Sequence, residues 1–208
     1  MEHDDIRGFA IAVATAANPR HSEADIIPLR DGRLLLGWTE FYAGVGADDG
    51  ATWREGEHVR PAGGGCWEPA AVELRDGRVL MFLRTGLGGQ YQTISADGGA
   101  TWSEPMLSPL RGTAAPISIE RIPTTGDLLA IWNNDLGSLR ARNPLTAAIS
   151  RDDGRTWEHC RNVASAPDDA FAYPSVTFAG DTALLTYFNY KDGISLFLKR
   201  IPVAWFYA

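Results

Sequence analysis

Aspartates that could bind a cation or a sugar recur in one short motif, Ser-x-Asp-x-Gly-x-x-Trp. Residues 95–102 read SADGGATW, residues 150–157 read SRDDGRTW, and a weaker copy, GADDGATW, occupies residues 46–53. The same residue types suit a tight turn, because an Asp carboxylate accepts hydrogen bonds from backbone N–H groups of its own loop and Gly tolerates a positive φ. The Trp can bury its ring against the next repeat, with its N–H hydrogen-bonded. Repetition favours this structural role over calcium or sugar binding.

A second, larger repeat must position these boxes. Each copy is a short apolar strand, a turn built on Asp-Gly, Gly-Asp or a similar pair, and a second apolar strand. The copies lie at residues 26–38, 70–83, 117–132 and 175–188. Their turns are 45 to 54 residues apart, a period that suits the four-stranded blade of a β-propeller. The boxes then fall in the turn between the third and fourth strands of a blade.

The chain ends of this propeller are expected to meet in the last blade. The fourth hairpin has no box after it and supplies three strands up to the C-terminus. The segment FAIAVATAA at residues 9–17 follows acidic residues, unlike a secretory signal, and is too short to span a bilayer. Its alternation of Phe9, Ile11 and Val13 with alanines predicts a strand at residues 9–14, which would pair as the fourth strand and remove a free edge.

The sequence therefore predicts an all-β fold, a β-propeller with about four blades in a single domain spanning residues 1–208. The expected blades are approximately residues 20–62, 63–110, 111–165 and 166–208, the last joined by residues 9–14. A content of seven Trp and 22 Gly in 208 residues agrees with many tight turns and many aromatic anchors.

Charge and cysteine content limit the classes of partner. The formal net charge of −7 disfavours nucleic acid and anionic membranes. Two cysteines, Cys66 and Cys160, make no disulfide framework, and no Cys/His cluster has metal-ligand spacing. We expect ordinary thiols, no metal, no cofactor and a cytoplasmic location.

The boxes, together with WEPAAVELRDGRVLMFLRT at residues 67–85 and FAYPSVTF at residues 171–178, resemble the sialidase (neuraminidase) superfamily, in particular its bacterial BNR-repeat, Asp-box members. The likeness extends from about Asn18 to Phe206. Sialidases have six blades, so the resemblance implies a chain shortened by about two. The segment YAGVGA at residues 42–47 is mostly small residues, and we expect it to form no third strand and to mark the shortfall.

The resemblance also implies a set of site residues. Sialidases bind the carboxylate of their sugar with three arginines, because a guanidinium meets a carboxylate with two parallel bonds. They use a tyrosine nucleophile activated by a glutamate. These roles correspond to Tyr173 as the nucleophile and Glu68 as its activating base. Arg84 and Arg142 correspond to the second and third arginines, and Arg20 lies nearest to the first.

Each of these assignments has a structural alternative. Glu68 and Arg84 could form an ordinary ion pair. Arg142 could be a solvated loop residue, and Arg140 competes for its role. Tyr173 could be a packed aromatic residue with a bonded hydroxyl.

The general acid of the family, an aspartate, normally lies in the segment that is missing here. Asp48 and Asp49 belong to a box, which leaves Glu40 and Asp25 as acidic candidates. The implied function is a retaining, sialidase-like glycoside hydrolase acting on terminal sialic acid or another acidic sugar. The alternatives are a non-catalytic carbohydrate-binding propeller and a structural propeller that serves assembly. An open sheet edge also predicts a homodimer.

Overall fold

The computed structural model describes residues 22–39, 43–46, 54–138, 141–191 and 193–208. These residues form fifteen β-strands and one short 3-10 helix, Val203–Tyr207, with no α-helix among them. Consequently no helix in the described ranges could cross a membrane. The all-β expectation is confirmed.

The strands form four antiparallel sheets in which each strand pairs with the next along the chain. Blade 1 contains β1 (Ser22–Pro28), β2 (Leu34–Thr39), β3 (Ala43–Gly46) and β4 (Arg54–Glu55). Blade 2 contains β5 (Cys66–Glu73), β6 (Val79–Thr85), β7 (Gly89–Ser95) and β8 (Met106–Arg111). Blade 3 contains β9 (Ser118–Arg121), β10 (Leu128–Asn133), β11 (Leu145–Ser150) and β12 (Glu158–Ala164). Blade 4 contains β13 (Phe171–Ala179), β14 (Thr182–Asn189) and β15 (Ser195–Pro202).

Apolar layers between successive blades hold the sheets together. Phe82 of blade 2 and Trp132 of blade 3 are buried in one layer, and Ile131 of blade 3 and Leu185 of blade 4 are buried in the next. The middle strands therefore bury both faces, which explains why they read as continuous apolar runs. Burial of this apolar surface is the main stabilising contribution.

Ion pairs at the hairpin turns add polar links between blades. Arg30 of blade 1 donates from Nε to Glu73 of blade 2 at 3.0 Å. Arg75 of blade 2 bonds Asp127 and Asp153 of blade 3, each at 3.2 Å. Because strands alternate in direction, these turns lie at the same end of the blades as the boxes. The starts of the first strands lie at the other end.

The boxes use their carboxylates inside the turn. Asp97 Oδ1 accepts hydrogen bonds from Ser95 Oγ at 2.8 Å and from the Thr101 backbone N–H at 2.9 Å. Asp97 Oδ2 accepts one from Thr101 Oγ1 at 2.6 Å, and Asp152 repeats the arrangement in blade 3. No cluster of three or more potential metal ligands occurs among the described residues. The boxes of blades 2 and 3, each between a third and a fourth strand, are thus turn-forming elements.

The box tryptophans of blades 2 and 3 differ from the expectation in three ways. Trp102 and Trp157 are half-buried and pack against the preceding blade, not the next one. Trp157 meets Phe82 of blade 2 edge-on, with ring centroids 6.2 Å apart. Both indole N–H groups are enclosed without a hydrogen-bond partner in the described structure. The reason is geometric: the box glycine brings the turn against the preceding blade, so the ring reaches back into that apolar layer.

The prediction that residues 42–47 form no third strand is wrong. β3 pairs with β2 from Ala43 to Gly46 and with β4 at Gly44 and Val45. Strand pairing uses backbone groups, so small side chains do not prevent it. The predicted strand at residues 9–14 lies outside the described residues, and blade 4 has three strands within them.

Candidate functional site

Two first strands break their register at a residue that precedes a proline. In β5 the irregularity lies between Trp67 and Pro69, and in β13 it lies between Ala172 and Ser175. Glu68 has φ 45° and Tyr173 has φ 54° at these bulges. A positive φ in a bulky residue is uncommon and costs about 1–3 kcal/mol, and such residues cluster at functional sites. Bulges also re-aim side chains, so the strained backbone directs Glu68 and Tyr173.

The two bulges bring a phenol and a carboxylate together across 105 residues of sequence. Tyr173 Oη donates a hydrogen bond to Glu68 Oε1 at 3.1 Å. Arg84 Nη1 donates to the other oxygen, Glu68 Oε2, at 2.6 Å. Glu68 is 8% exposed, so both interactions form largely away from water. The three residues make a continuous Tyr–Glu–Arg hydrogen-bonded chain.

Arg84 stays a cation in this setting. Burial acts most strongly on the pKa of Arg84 and lowers it, but the hydrogen bond and charge of Glu68, together with Tyr173, leave that pKa above its ordinary value. The pair therefore combines a hydrogen-bond acceptor for the phenol with a fixed cation.

Arg142 joins the cluster through aromatic contacts. Its Cζ lies 5.4 Å from the centroid of the Tyr173 ring and 5.9 Å from that of Tyr190. Its Nη1 also donates to Tyr190 Oη at 3.5 Å, and its backbone oxygen accepts from the Phe171 N–H at 2.6 Å. The backbone bond ties Arg142 to the start of β13, and the rings hold its guanidinium by cation–π attraction. Arg142 is therefore a packed residue and not a solvated loop arginine.

The structure thus brings together Glu68, Arg84, Arg142 and Tyr173. The remaining sequence-based candidates stay predictions. Asp25 lies in β1, but its side chain is not described. The others fall outside the described residues: Arg20, Glu40, Asp48, Asp49 and Arg140.

Sequence reasoning missed two aromatic residues of this cluster. The Trp67 ring centroid lies 5.9 Å from Arg84 Cζ, and this large apolar residue is exposed. Tyr190 follows β14 and contacts Arg142. Trp67 had a usable signal, because it directly precedes Glu68 in the sequence CWEP. Tyr190 had none, since its contact depends on the packing of blade 4.

The chain matches the BNR repeat-like domain over residues 17–186. It belongs to the BNR repeat-like family. This BNR repeat-like protein is also similar to the sialidase of Micromonospora viridifaciens, with 31% identity over 118 residues, or 53% of this chain and 18% of that protein. It is 38% identical to the anhydrosialidase of Macrobdella decora over 65 residues, 31% of this chain and 8% of that protein. The chain therefore matches less than a fifth of the length of either curated relative.

Solved structures support the same fold. The leech intramolecular trans-sialidase aligns over 88% of this chain and 31% of its own, with a TM-score of 0.65 and 18% identity. The NanB sialidase of Streptococcus pneumoniae aligns over 85% of this chain and 29% of its own, with a TM-score of 0.63 and 21% identity. The expected likeness to the sialidase-type, BNR-repeat propeller is confirmed. The difference in blade number from six-bladed sialidases remains an expectation from the resemblance.

Proposed function

We propose that this protein is a sialidase-like, retaining glycoside hydrolase that acts on terminal sialic acid or another acidic sugar. The observation that carries the proposal is the hydrogen bond from Tyr173 Oη to Glu68 Oε1 at 3.1 Å. A neutral phenol is a poor nucleophile, and a carboxylate within hydrogen-bond reach activates it by accepting its proton. Similarity to the sialidases named above supports the assignment.

The proposed reaction is a double displacement at the anomeric carbon. Tyr173 Oη attacks that carbon, the bond to the leaving group breaks, and the phenol proton passes to Glu68. Water then attacks the same carbon from the face that the leaving group left, the bond to Tyr173 breaks, and Glu68 returns the proton to the phenolate. The proton that the water loses passes through solvent to the oxygen of the departed leaving group. Two inversions at one carbon retain its configuration.

The cations of the cluster define the substrate class. Arg84 and Arg142 both contact residues of the Tyr–Glu pair, Arg84 through Glu68 and Arg142 over the Tyr173 ring. Guanidinium groups bind carboxylates through two parallel charge-assisted bonds. The cluster therefore suits a sugar whose carboxylate lies next to the reacting carbon, as it does in sialic acid.

The test is covalent trapping with 2,3-difluorosialic acid. Fluoride leaves without protonation, so the experiment does not depend on a general acid. We expect a glycosyl adduct by intact-mass spectrometry, located on Tyr173 by peptide mapping. Tyr173→Phe should form no adduct, whereas Tyr91→Phe, which removes a phenol hydroxyl from β7, should form it at the wild-type rate. Glu68→Gln should slow trapping by about 10²–10⁴-fold, the usual contribution of a general base.

Turnover of an umbelliferyl sialoside and calorimetry with sialic acid complete the test. Binding without trapping or turnover would favour the non-catalytic carbohydrate-binding alternative. An adduct on a residue other than Tyr173 would refute the assigned nucleophile. Absence of both binding and trapping would refute the proposed function.

A further inference from the structure

We propose that Trp67 contacts the substrate and sets the affinity of the site for the sugar itself, as distinct from its carboxylate. The inference rests on the proposed function and adds a specificity-determining residue to it. Three observations carry it: the exposure of the indole, its position beside Arg84, and the absence of a side chain at Gly65.

Trp67 is exposed where its neighbours on β5 are buried. Its exposed fraction is 43%, compared with 1% for Cys66 and 8% for Ala70. Burial of a tryptophan ring is among the largest hydrophobic gains available to a fold. An indole held at the surface beside a polar cluster therefore contributes less to folding than its size allows, and its apolar face stays open to a ligand.

The indole lies beside the guanidinium that would hold the carboxylate of the sugar. Trp67 is the register partner of Arg84, so the two side chains share one face of the sheet. The ring centroid is 5.9 Å from Arg84 Cζ, and Arg84 in turn bonds Glu68. A carboxylate paired with a guanidinium lies about 4 Å from Cζ by the geometry of such pairs. The far side of the sugar ring, more than two carbons from that carboxylate, then comes within contact distance of the indole.

The loop before β5 leaves the ring accessible. Residues 63–65 are all glycine. A Cβ built at Gly65 would lie 3.7 Å from Trp67 Cζ2, in ordinary contact, so any side chain there would reach the indole. Because glycine has none, no side chain of residue 65 covers that edge. That uncovered edge can therefore make van der Waals contact with the C–H groups of a sugar ring.

The experiment distinguishes direct contact of Trp67 with the sugar from an indirect effect of Trp67 on the position of Arg84. Wild type, Trp67→Ala and Trp67→Phe are titrated with N-acetylneuraminic acid and with propanoate, which reaches the arginine but is too small to span to the indole. Ligand-observed NMR measures both dissociation constants. We expect Trp67→Ala to weaken sugar binding about tenfold and to change propanoate binding less than twofold. Trp67→Phe should retain most of the affinity. Met106→Ala, which truncates an apolar side chain 63% exposed on β8, serves as the control and should change neither constant.

Two results would overturn the inference while the proposed function stands. One is an equal loss of affinity for both ligands in Trp67→Ala, which would mean that the indole acts only through Arg84. The other is sugar binding that the substitution leaves unchanged. If wild type binds propanoate but not the sugar, or binds neither, the proposed function fails together with the inference. The denaturant midpoints of the variants show that each protein is folded.

Discussion

Alanine at Gly154 should destabilise this protein more than alanine at Gly77, although both glycines have nearly the same backbone conformation. Gly154 is the box glycine of blade 3, with φ 86°, and Gly77 belongs to the first hairpin turn of blade 2, with φ 87°. An L-residue in this region costs about 1–2 kcal/mol. That cost is common to both substitutions, so any difference reports on the surroundings of the new methyl group.

The surroundings differ at the contact with the preceding blade. A Cβ at Gly154 would lie 2.6 Å from Leu80 Cδ2, and Leu80 is 1% exposed in the layer between blades 2 and 3. Overpacking of this kind costs about 1–3 kcal/mol. A Cβ at Gly77 would meet only Arg30 Nη2, at 3.9 Å. We therefore expect a loss of about 2–5 kcal/mol at Gly154 and about 1–2 kcal/mol at Gly77.

Urea unfolding followed by tryptophan fluorescence measures both free energies. A second pair provides an independent control: at Gly99, the box glycine of blade 2, a Cβ would collide with buried Leu35, whereas at Gly32 nothing lies within 4 Å. Gly99→Ala should therefore lower the free energy of unfolding more than Gly32→Ala does. If the members of each pair lose equal stability within about 0.5 kcal/mol, the usual precision of such comparisons, the box does not act by close packing against the preceding blade.

The remaining predictions concern the box side chains and the thiols. Trp102→Ala should lower the free energy of unfolding by about 3 kcal/mol, the lower end for a large aromatic, because its ring is half-buried; an unchanged denaturant midpoint would contradict this. Hydrogen bonds, first from the Thr101 hydroxyl, lower the pKa of Asp97 from 3.8 to about 2, so its stabilisation is present above pH 3.8 and is lost as the pH falls towards 2. In Asp97→Asn the urea midpoint should depend less on pH over that range. An unchanged pH dependence of the midpoint would argue against the assignment. Burial raises the pKa of the Cys66 thiol to about 12, whereas Cys160 is exposed. A disulfide reagent at pH 8 should therefore react rapidly with one thiol in the native protein and with two after unfolding. Two fast thiols in the native protein would contradict the burial of Cys66.

Local turn chemistry explains why the fold could be read from the sequence. Asp-Gly and Gly-Asp pairs specify hairpins within a few residues, and the box bonds join residues at most four positions apart, such as Asp97 and Thr101. The third strand of blade 1 was missed because Ala43–Gly46 carries no β-pattern of its own. It forms by backbone pairing with β2, which composition does not reveal.

The candidate site could not be predicted from local sequence patterns in the same way. Tyr173 and Glu68 are 105 residues apart, and no local pattern joins them. Their assignment came from the resemblance, and their contact became visible only in three dimensions. The direction in which the box tryptophans pack, and the aromatic contacts of Trp67 and Tyr190, depend on how blades face one another, which strand periodicity does not encode.

A repeated irregularity explains how the propeller builds this site. Register breaks near the start of the first strand occur in blades 1, 2 and 4, at the end opposite the boxes. In a regular strand successive side chains face opposite sides, so Trp67 and Glu68 could not both reach one partner. The bulge at Glu68 removes that restriction, and Arg84 meets the Glu68 carboxylate at 2.6 Å and the Trp67 ring at 5.9 Å. The same bulge in blade 4 turns Tyr173 towards Glu68. The backbone strain at these two residues therefore holds Tyr173, Glu68 and the Trp67 ring around Arg84 at one point of the molecule.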